Sequence, residues 1–156
     1  DARLPAYRSD ALVSIHADSC MEITDATPPA SGYKVARVAN SMVPDQEDRL
    51  VECITNRYEV RTGMFFHANS ITDDMTVYHA FHEIDPQTPG VIIGLGFMAA
   101  DRDLLTENAY EVAQGVARGI DYQTDRYGED HNGQQHARAP ADARDGHVAA
   151  YIHSLH

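Results

Sequence analysis

Short apolar runs separated by polar, turn-rich segments form the first two thirds of the chain. Residues 11–15 read Ala-Leu-Val-Ser-Ile and are followed by polar residues, which is typical of a buried strand. The most apolar stretch, residues 91–97, follows a proline-rich turn and predicts a fully buried strand of a parallel sheet. Residues 76–81 alternate sufficiently between apolar and polar types to predict a further strand.

Two segments repeat apolar residues at helical spacing. Residues 45–58 follow a proline and predict a helix with one apolar side, formed by Leu50, Val51, Ile54 and Tyr58. Residues 103–120 predict the clearest helix of the chain, which Asp101 or Asp103 can cap. Strands that alternate with helices favour an α/β fold, with a mostly parallel sheet flanked by helices.

The composition changes towards the end of the chain. Residues 123–146 are rich in Asp, Gln, Gly, Arg and His, and they predict a polar linker or surface loop. Residues 147–156 place four apolar side chains on one face and predict a short amphipathic helix, which must dock on its own domain or on a neighbouring copy. We therefore expect a domain over residues 1–122, and a tail over residues 123–156 that is a candidate contact for a homo-oligomer.

Composition and charge exclude several classes of function. The chain has 156 residues, of which 43% are hydrophobic, so it can bury a core. Its net charge of −12 argues against a nucleic-acid partner, because phosphate backbones are bound by clustered Lys and Arg. No apolar run approaches the ~20 residues that cross a bilayer. The absence of a starting Met favours a processed chain or a piece of a longer one.

Two features of the sequence carry candidate chemistry. His16 directly follows the buried run 11–15, and open α/β sheets place ligand sites beyond the carboxyl ends of their strands. Residues 94–97, Gly-Leu-Gly-Phe, close the later strand, where glycines mark a bulge or a close backbone approach. Cys20 and Cys53 lack the spacing of a zinc ribbon, and the alternatives are a disulfide between them or two buried thiols.

Taken in this order, the segments resemble the zinc-dependent N-acetylmuramoyl-L-alanine amidases of type 3, which cleave bacterial peptidoglycan. Residues 12–18, Leu-Val-Ser-Ile-His-Ala-Asp, resemble the second histidine motif of that family, and residues 88–98 resemble its last strand. Gly32-Tyr33 matches a Gly-aromatic step, and residues 103–120 match the closing helix. The resemblance covers roughly residues 7–122 and implies the C-terminal portion of an amidase-like fold that lacks the N-terminal strand or strands.

The resemblance implies an amide hydrolase with a zinc cofactor, secreted or located in the bacterial cell envelope. Two histidines and a glutamate would hold the zinc, and a second glutamate would be the general base for cleavage between N-acetylmuramic acid and L-alanine. His16 is the one family ligand present, and Gly94 stands at the position of the base. Asp18 and His79 are expected in the substrate groove.

Two functions stay open at this point. One is a peptidoglycan hydrolase that is inactive or incomplete as given, since loss of a general base costs about 10²–10⁴-fold in rate. The other is a non-catalytic structural, self-assembling or cell-wall-binding protein derived from the amidase fold. A metal site rebuilt from His79 and His82 is disfavoured, because residues three apart in a strand point to opposite faces.

The N-terminal strand or strands that the amidase-like region lacks would leave one edge of the sheet open. A parallel sheet does not tolerate an absent strand, because backbone groups and apolar area would be exposed at the open edge. We therefore expect that edge to be covered by the tail of the same chain, by another copy, or by a segment outside this sequence.

Overall fold

The structure is a computed structural model that describes residues 9–21, 30–130 and 148–152. Its strands, in chain order, are β1 (Ala11–Asp18), β2 (Lys34–Arg37), β3 (Gly90–Phe97) and β4 (Val148–Ile152). Its α-helices are α1 (Pro44–Thr62), α2 (Asp73–Thr76), α3 (Arg102–Glu107) and α4 (Ala109–Asp130). Two 3-10 turns, Ala68–Ser70 and His79–His82, lie between α1 and β3. Across the described ranges, no helix is long and apolar enough to cross a membrane.

The four strands form one mixed sheet in the order β2-β3-β1-β4. β1 is parallel to both β3 and β4, and β2 runs antiparallel to β3. The predicted α/β fold, with a mostly parallel sheet flanked by helices, is confirmed. Both predicted buried strands are present as β1 and β3, which lie side by side in the centre of the sheet.

The alternation of side chains along the strands gives the sheet two apolar faces. On one face Val13, Val35 and Ile93 are buried against α1 and α4. On the other face Leu12 and Ile92 pack against residues around the second 3-10 turn. Helices α1 and α4 also pack tightly against each other, and the helix predicted over residues 103–120 is divided at Asn108 into α3 and α4.

The prediction of a strand over residues 76–81 is wrong. Residues up to Thr76 belong to α2, and the 3-10 turn His79–His82 follows. The N–H of Phe81 donates a hydrogen bond of 3.1 Å to the carbonyl of Tyr78, which closes the turn while Phe81 remains buried. A six-residue alternating pattern is therefore equally compatible with a strand and with a turn that buries its apolar side chains.

The predictions for the tail need two corrections. Helix α4 continues to Asp130, into the segment predicted to be a polar linker. Residues 148–152 form β4 rather than an amphipathic helix, and they pair with β1 from Ala11↔Val148 to Ile15↔Ile152. The open edge of β1 offers backbone hydrogen bonds that outweigh the helical spacing of the tail. Residues 131–147 and 153–156, which complete both predictions, lie outside the described residues.

This pairing answers the question of the open edge of β1. Three segments were expected to cover this edge. The structure shows the tail of the same chain there, because β4 lies parallel to β1 over five residue pairs. The sheet therefore gains a parallel neighbour for β1 from the end of the chain.

A buried carboxyl group joins the first turn of α1 to the start of β3. Glu47 is 1% exposed, and its Oε1 accepts the backbone N–H of Gly90 at 3.0 Å. Burial raises the pKa of the Glu47 carboxyl, while hydrogen bonds from Gly90 and Ser41 and the charge of Arg37 oppose this rise and Asp48 adds to it. The carboxyl group of Glu47 therefore keeps its proton to a higher pH in the folded protein than in the unfolded chain.

This shift predicts a pH-dependent stability. Because the pKa of Glu47 is higher in the folded than in the unfolded chain, its contribution is fully present below the unfolded pKa and is lost as the pH rises through the folded pKa. Glu47→Gln keeps an acceptor for Gly90 and removes the charge. We expect its unfolding midpoint, measured by circular dichroism, to exceed that of the unsubstituted protein at pH 8 and to approach it at pH 4. Glu52→Gln, at an exposed position of α1, is the control, and parallel pH curves for both variants would contradict the prediction.

Candidate functional site

The carboxyl ends of β1 and β3 meet at one edge of the sheet, because the two strands are parallel neighbours. The strand register places His16 beside Gly94 and Gly94 beside Lys34, the first residue of antiparallel β2. Residues paired in this way face the same side of a sheet. Asp18, two residues after His16 in β1, belongs to the same face. The sheet thus brings together His16, Asp18 and Gly94, which sequence reasoning singled out, and adds Lys34.

An ion pair occupies the centre of this edge. The Lys34 Nζ lies 2.9 Å from Asp18 Oδ2 and donates a hydrogen bond to the carbonyl of Ser70 at 3.0 Å. The side chain of Lys34 is 8% exposed and that of Asp18 is 19% exposed. The ammonium also lies 5.5 Å from the centroid of the Phe97 ring, within the range of a cation–π contact. The positive charge of Lys34 is therefore matched by protein groups rather than by water.

The space beside Gly94 is filled by the same ion pair. A Cβ atom at position 94 would lie 3.1 Å from both Cγ and Cε of Lys34 and 3.3 Å from Asp18 Oδ2. All three distances are tighter than ordinary van der Waals contact. A side chain at position 94 would therefore require Lys34 and Asp18 to shift.

His16 is held in place by neighbours on two sides. It is buried, its Nε2 lies 3.0 Å from the Oγ of fully buried Ser14, and its ring meets the edge of Tyr78 at 4.8 Å between centroids. His79, expected in the groove, is exposed, and its ring lies 4.3 Å from the same Tyr78 ring. Tyr78 thus contacts both imidazoles. The predicted role of His79 in a substrate groove stays a prediction.

Asp101 organises the neighbouring loops. Its Oδ1 accepts a hydrogen bond from Ser31 Oγ at 2.6 Å, and its Oδ2 accepts the backbone N–H groups of Gly32 at 3.1 Å and Phe97 at 2.8 Å. Asp101 precedes α3, but its carboxylate makes no cap hydrogen bond to that helix. It instead joins the approach to β2 to the end of β3. Gly96, whose φ of +154° favours glycine, allows the backbone to pass close to this carboxylate.

Aromatic side chains border the site on the side of β2. The rings of Phe65 and Phe97 each lie 5.9 Å from that of His67. Phe65 is 69% exposed, and a cavity of about 110 Å³ is lined by Phe65, Phe66, His67, Ala68 and Asn69. The backbone hydrogen bonds of Tyr33 to Phe65 and His67 fix this segment next to the start of β2. An exposed aromatic side chain, that of Phe65, therefore adjoins the polar centre.

Sequence reasoning missed Lys34, Ser70 and Tyr78. The missed signal for Lys34 was a single charge between apolar neighbours, Tyr33 and Val35, in a segment that had been identified only by its Gly-aromatic step. Charged residues are almost never fully buried unless they are paired, so such a position indicates an internal partner. Nothing in the sequence pointed to the carbonyl of Ser70, because a backbone acceptor has no sequence signature.

The two cysteines form no disulfide with each other. Cys20 is exposed in the loop after β1, and Cys53 is half-buried within α1. A disulfide requires two Cα atoms within ~7 Å and Cβ atoms that point towards each other. The structure contains two thiols on separate elements, so the disulfide alternative is corrected, and Cys20 is not a buried thiol either.

The described residues do not fit the zinc ion that the resemblance implies. A catalytic zinc needs three protein ligands and one open position. The Nε2 of His16 contacts Ser14, the carboxylate of Asp18 binds Lys34, and Gly94 has no donor atom. Within residues 9–21 and 30–121, no three His, Cys, Asp or Glu side chains are grouped so that they could hold a metal ion.

Comparison with known proteins shows the fold. No protein-family model and no curated protein matches this chain. Its structure is similar to that of the apo form of the N-acetylmuramyl-L-alanine amidase Ami1 from Mycobacterium abscessus, with a TM-score of 0.52 and 20% identity over 74% of this chain and 55% of that chain. The N-acetylmuramoyl-L-alanine amidase AmiC2 of Nostoc punctiforme gives a TM-score of 0.49 and 22% identity over 75% of this chain and 59% of that chain. Cwp6 from Clostridium difficile gives a TM-score of 0.49 and 13% identity over 75% of this chain and 18% of that chain.

The chain therefore has an amidase-like fold and spans 55% of the length of the Ami1 chain. This partial coverage fits the expected truncated form of the fold.

Proposed function

We propose that this chain is a non-hydrolytic protein of the amidase fold that binds peptidoglycan in the bacterial cell envelope or outside the cell. The observation that carries the proposal is the ion pair between Lys34 and Asp18, which fills the space beside Gly94. The similarity of the fold to that of an N-acetylmuramyl-L-alanine amidase supports peptidoglycan as the ligand.

The chemistry of the edge argues against amide hydrolysis by the described residues. A general base must come within hydrogen-bond reach of the proton that it removes. Position 94 carries no side chain that accepts a proton, and the nearest carboxylate, Asp18, already binds the Lys34 ammonium at 2.9 Å. The resemblance implies that the general base of the family would stand at position 94, so a glycine there, next to an ion pair, supports a chain without that base.

The surface next to the ion pair is suited to binding. Phe65 exposes most of its ring beside the cavity at Phe65–Asn69, and Met21 is exposed in the loop after β1. Exposed aromatic rings supply a large apolar contact area at a low entropic cost. A sugar ring or an apolar side chain of a stem peptide offers the complementary surface.

The test combines binding and cleavage of purified, insoluble peptidoglycan. We expect the chain to sediment with the polymer, while chromatography of the supernatant detects no released stem peptides. Phe65→Ser is expected to reduce the bound fraction several-fold. Val60→Ser, at an apolar position on α1 that is even more exposed than Phe65, is the control and is expected to bind as the unsubstituted protein does. Stem peptides released with a free L-alanine amino group would contradict the non-hydrolytic proposal, and failure to sediment would contradict binding.

A second candidate function is hydrolysis of the amide itself. It is favoured by the position of His16 at the carboxyl end of β1, in an amidase-like fold. It requires zinc ligands and a base in addition to the residues described here. The cleavage assay, repeated with added zinc, distinguishes this candidate from the first.

Self-association through residues 123–156 also stays a proposal. β4 pairs with β1 over five positions, and a second copy that donated the same strand would form a dimer by strand exchange. Light scattering during size-exclusion chromatography measures the mass directly. A mass of 17.2 kDa at all concentrations would contradict self-association.

A further inference from the structure

The carboxyl edge of the sheet already holds a cation. Three groups of the protein surround the Lys34 ammonium: the carboxylate of Asp18 at 2.9 Å, the carbonyl of Ser70 at 3.0 Å, and the face of the Phe97 ring at 5.5 Å. Carboxylate and carbonyl oxygens also bind metal ions, and aromatic faces attract organic cations. The Lys34 ammonium therefore lies in a cation site that these three groups form.

Two further positions that could carry metal ligands lie next to this cation site. The strand register places His16 directly beside Gly94, on the same face as Lys34. A side chain that started at position 94 would begin 3.3 Å from Asp18 Oδ2. Position 94 thus has an imidazole-bearing residue beside it in the sheet and a carboxylate next to it, and the side chain of Lys34 lies against the same position.

We propose that Lys34 is an internal cation that takes the place of a divalent metal ion at this edge, so that metal binding requires removal of the ammonium. The inference goes beyond the proposed function, because it concerns the occupancy of a cation site and is independent of peptidoglycan.

Two physical effects exclude the metal while Lys34 is present. The ammonium engages the Oδ2 atom of Asp18, and its charge repels a second cation in a region that is largely shielded from water. The γ and ε carbons of Lys34 also fill the volume next to position 94. Gly94→Glu by itself adds a carboxylate next to Lys34, and we expect the ammonium to form a second ion pair with it. Lys34→Met removes the charge and keeps an apolar side chain of similar length. With both substitutions, His16, Asp18 and the introduced carboxylate are the three ligands that we expect zinc to take, with the His16 imidazole exchanging its contact with Ser14 for the metal.

The experiment compares four proteins, namely the unsubstituted chain, Lys34→Met, Gly94→Glu and the double variant. Zinc sulfate is the probe, and the readouts are the heat of zinc binding and the shift of each unfolding midpoint relative to the same protein without zinc. We expect a zinc-specific rise of about 5–10 °C for the double variant at a zinc concentration ~100-fold above its dissociation constant. The two proteins that keep Lys34 are expected to show no such rise.

The control corrects for histidines elsewhere in the chain, nine in total. Asp18→Asn combined with Lys34→Met removes both charges of the pair and retains every histidine, so its response to zinc is the background for all other proteins. Lys34→Arg keeps the positive charge and is expected to match this background. Because each midpoint is compared with that of the same variant without zinc, a general loss of stability leaves the comparison intact.

Two results would overturn the inference. One is zinc binding by Gly94→Glu that is as tight with Lys34 in place as without it, since the ammonium would then not compete with the metal. The other is a folded double variant, verified by circular dichroism, whose response to zinc equals the background of the charge-free control. Neither result affects the sedimentation and cleavage tests of the proposed function.

Discussion

Replacing Asp18 with alanine is expected to lower the free energy of unfolding by about 3 kcal/mol, because it leaves the Lys34 charge buried without its carboxylate. The carbonyl of Ser70 remains as an acceptor at 3.0 Å, but a carbonyl dipole does not neutralise an ammonium. Urea denaturation followed by circular dichroism measures the loss.

The exposed ion pair between Arg37 and Asp48 is the matched control. Its N–O distance is 2.7 Å, but both side chains are in contact with water, so Asp48→Ala is expected to cost less than about 1 kcal/mol. Combining Asp18→Asn with Lys34→Met removes both charges of the buried pair and is expected to recover most of the stability lost in Asp18→Ala. An Asp18→Ala protein that is no less stable than Asp48→Ala would show that the buried pair has no special energetic role.

Replacing Gly119 with alanine is expected to lower the free energy of unfolding by about 2 kcal/mol. A Cβ atom at this position of α4 would lie 2.5 Å from the Cα of Ile54 and 3.0 Å from its backbone nitrogen. Because these are backbone atoms of α1, no side-chain rotation relieves the contact, and the two helices must move apart. Overpacking of this kind costs about 1–3 kcal/mol. Thermal and urea unfolding both measure the effect.

Helix propensity acts in the opposite direction at Gly119, which makes the sign of the effect informative. Alanine is better than glycine in a helix by about 1 kcal/mol. Ala117→Gly, at an exposed position of the same helix, measures this term without a change in packing. If Gly119→Ala stabilised the protein by the amount that Ala117→Gly destabilises it, the close approach of α1 and α4 would be refuted.

The central elements were predictable because their signals are local. The apolar runs of β1 and β3 need burial on both faces whatever surrounds them, and His16 follows β1 in the sequence, so its place at the carboxyl edge follows from chain continuity. The apolar side of α1 likewise predicted the buried residues Leu50, Ile54 and Tyr58.

The elements that were wrongly predicted depend on partners distant in sequence. The spacing of Val148, Tyr151 and Ile152 fits a helix, yet the segment is β4, because the unpaired edge of β1 offers it hydrogen bonds. No window around residue 148 contains that edge. The turn at His79–His82 differs for another reason, since an alternation of six residues does not distinguish a strand from a turn with two buried side chains.

The sequence by itself determined the fold class, the two central strands and the placement of His16, since local burial requirements and chain continuity are properties of short segments. Only the tertiary structure decided what surrounds that histidine. Lys34 is 16 positions from Asp18 along the chain, and only the position of β2 next to β3 brings its ammonium to that carboxylate. An ion pair between two strands depends on their register, and register is a property of the assembled sheet.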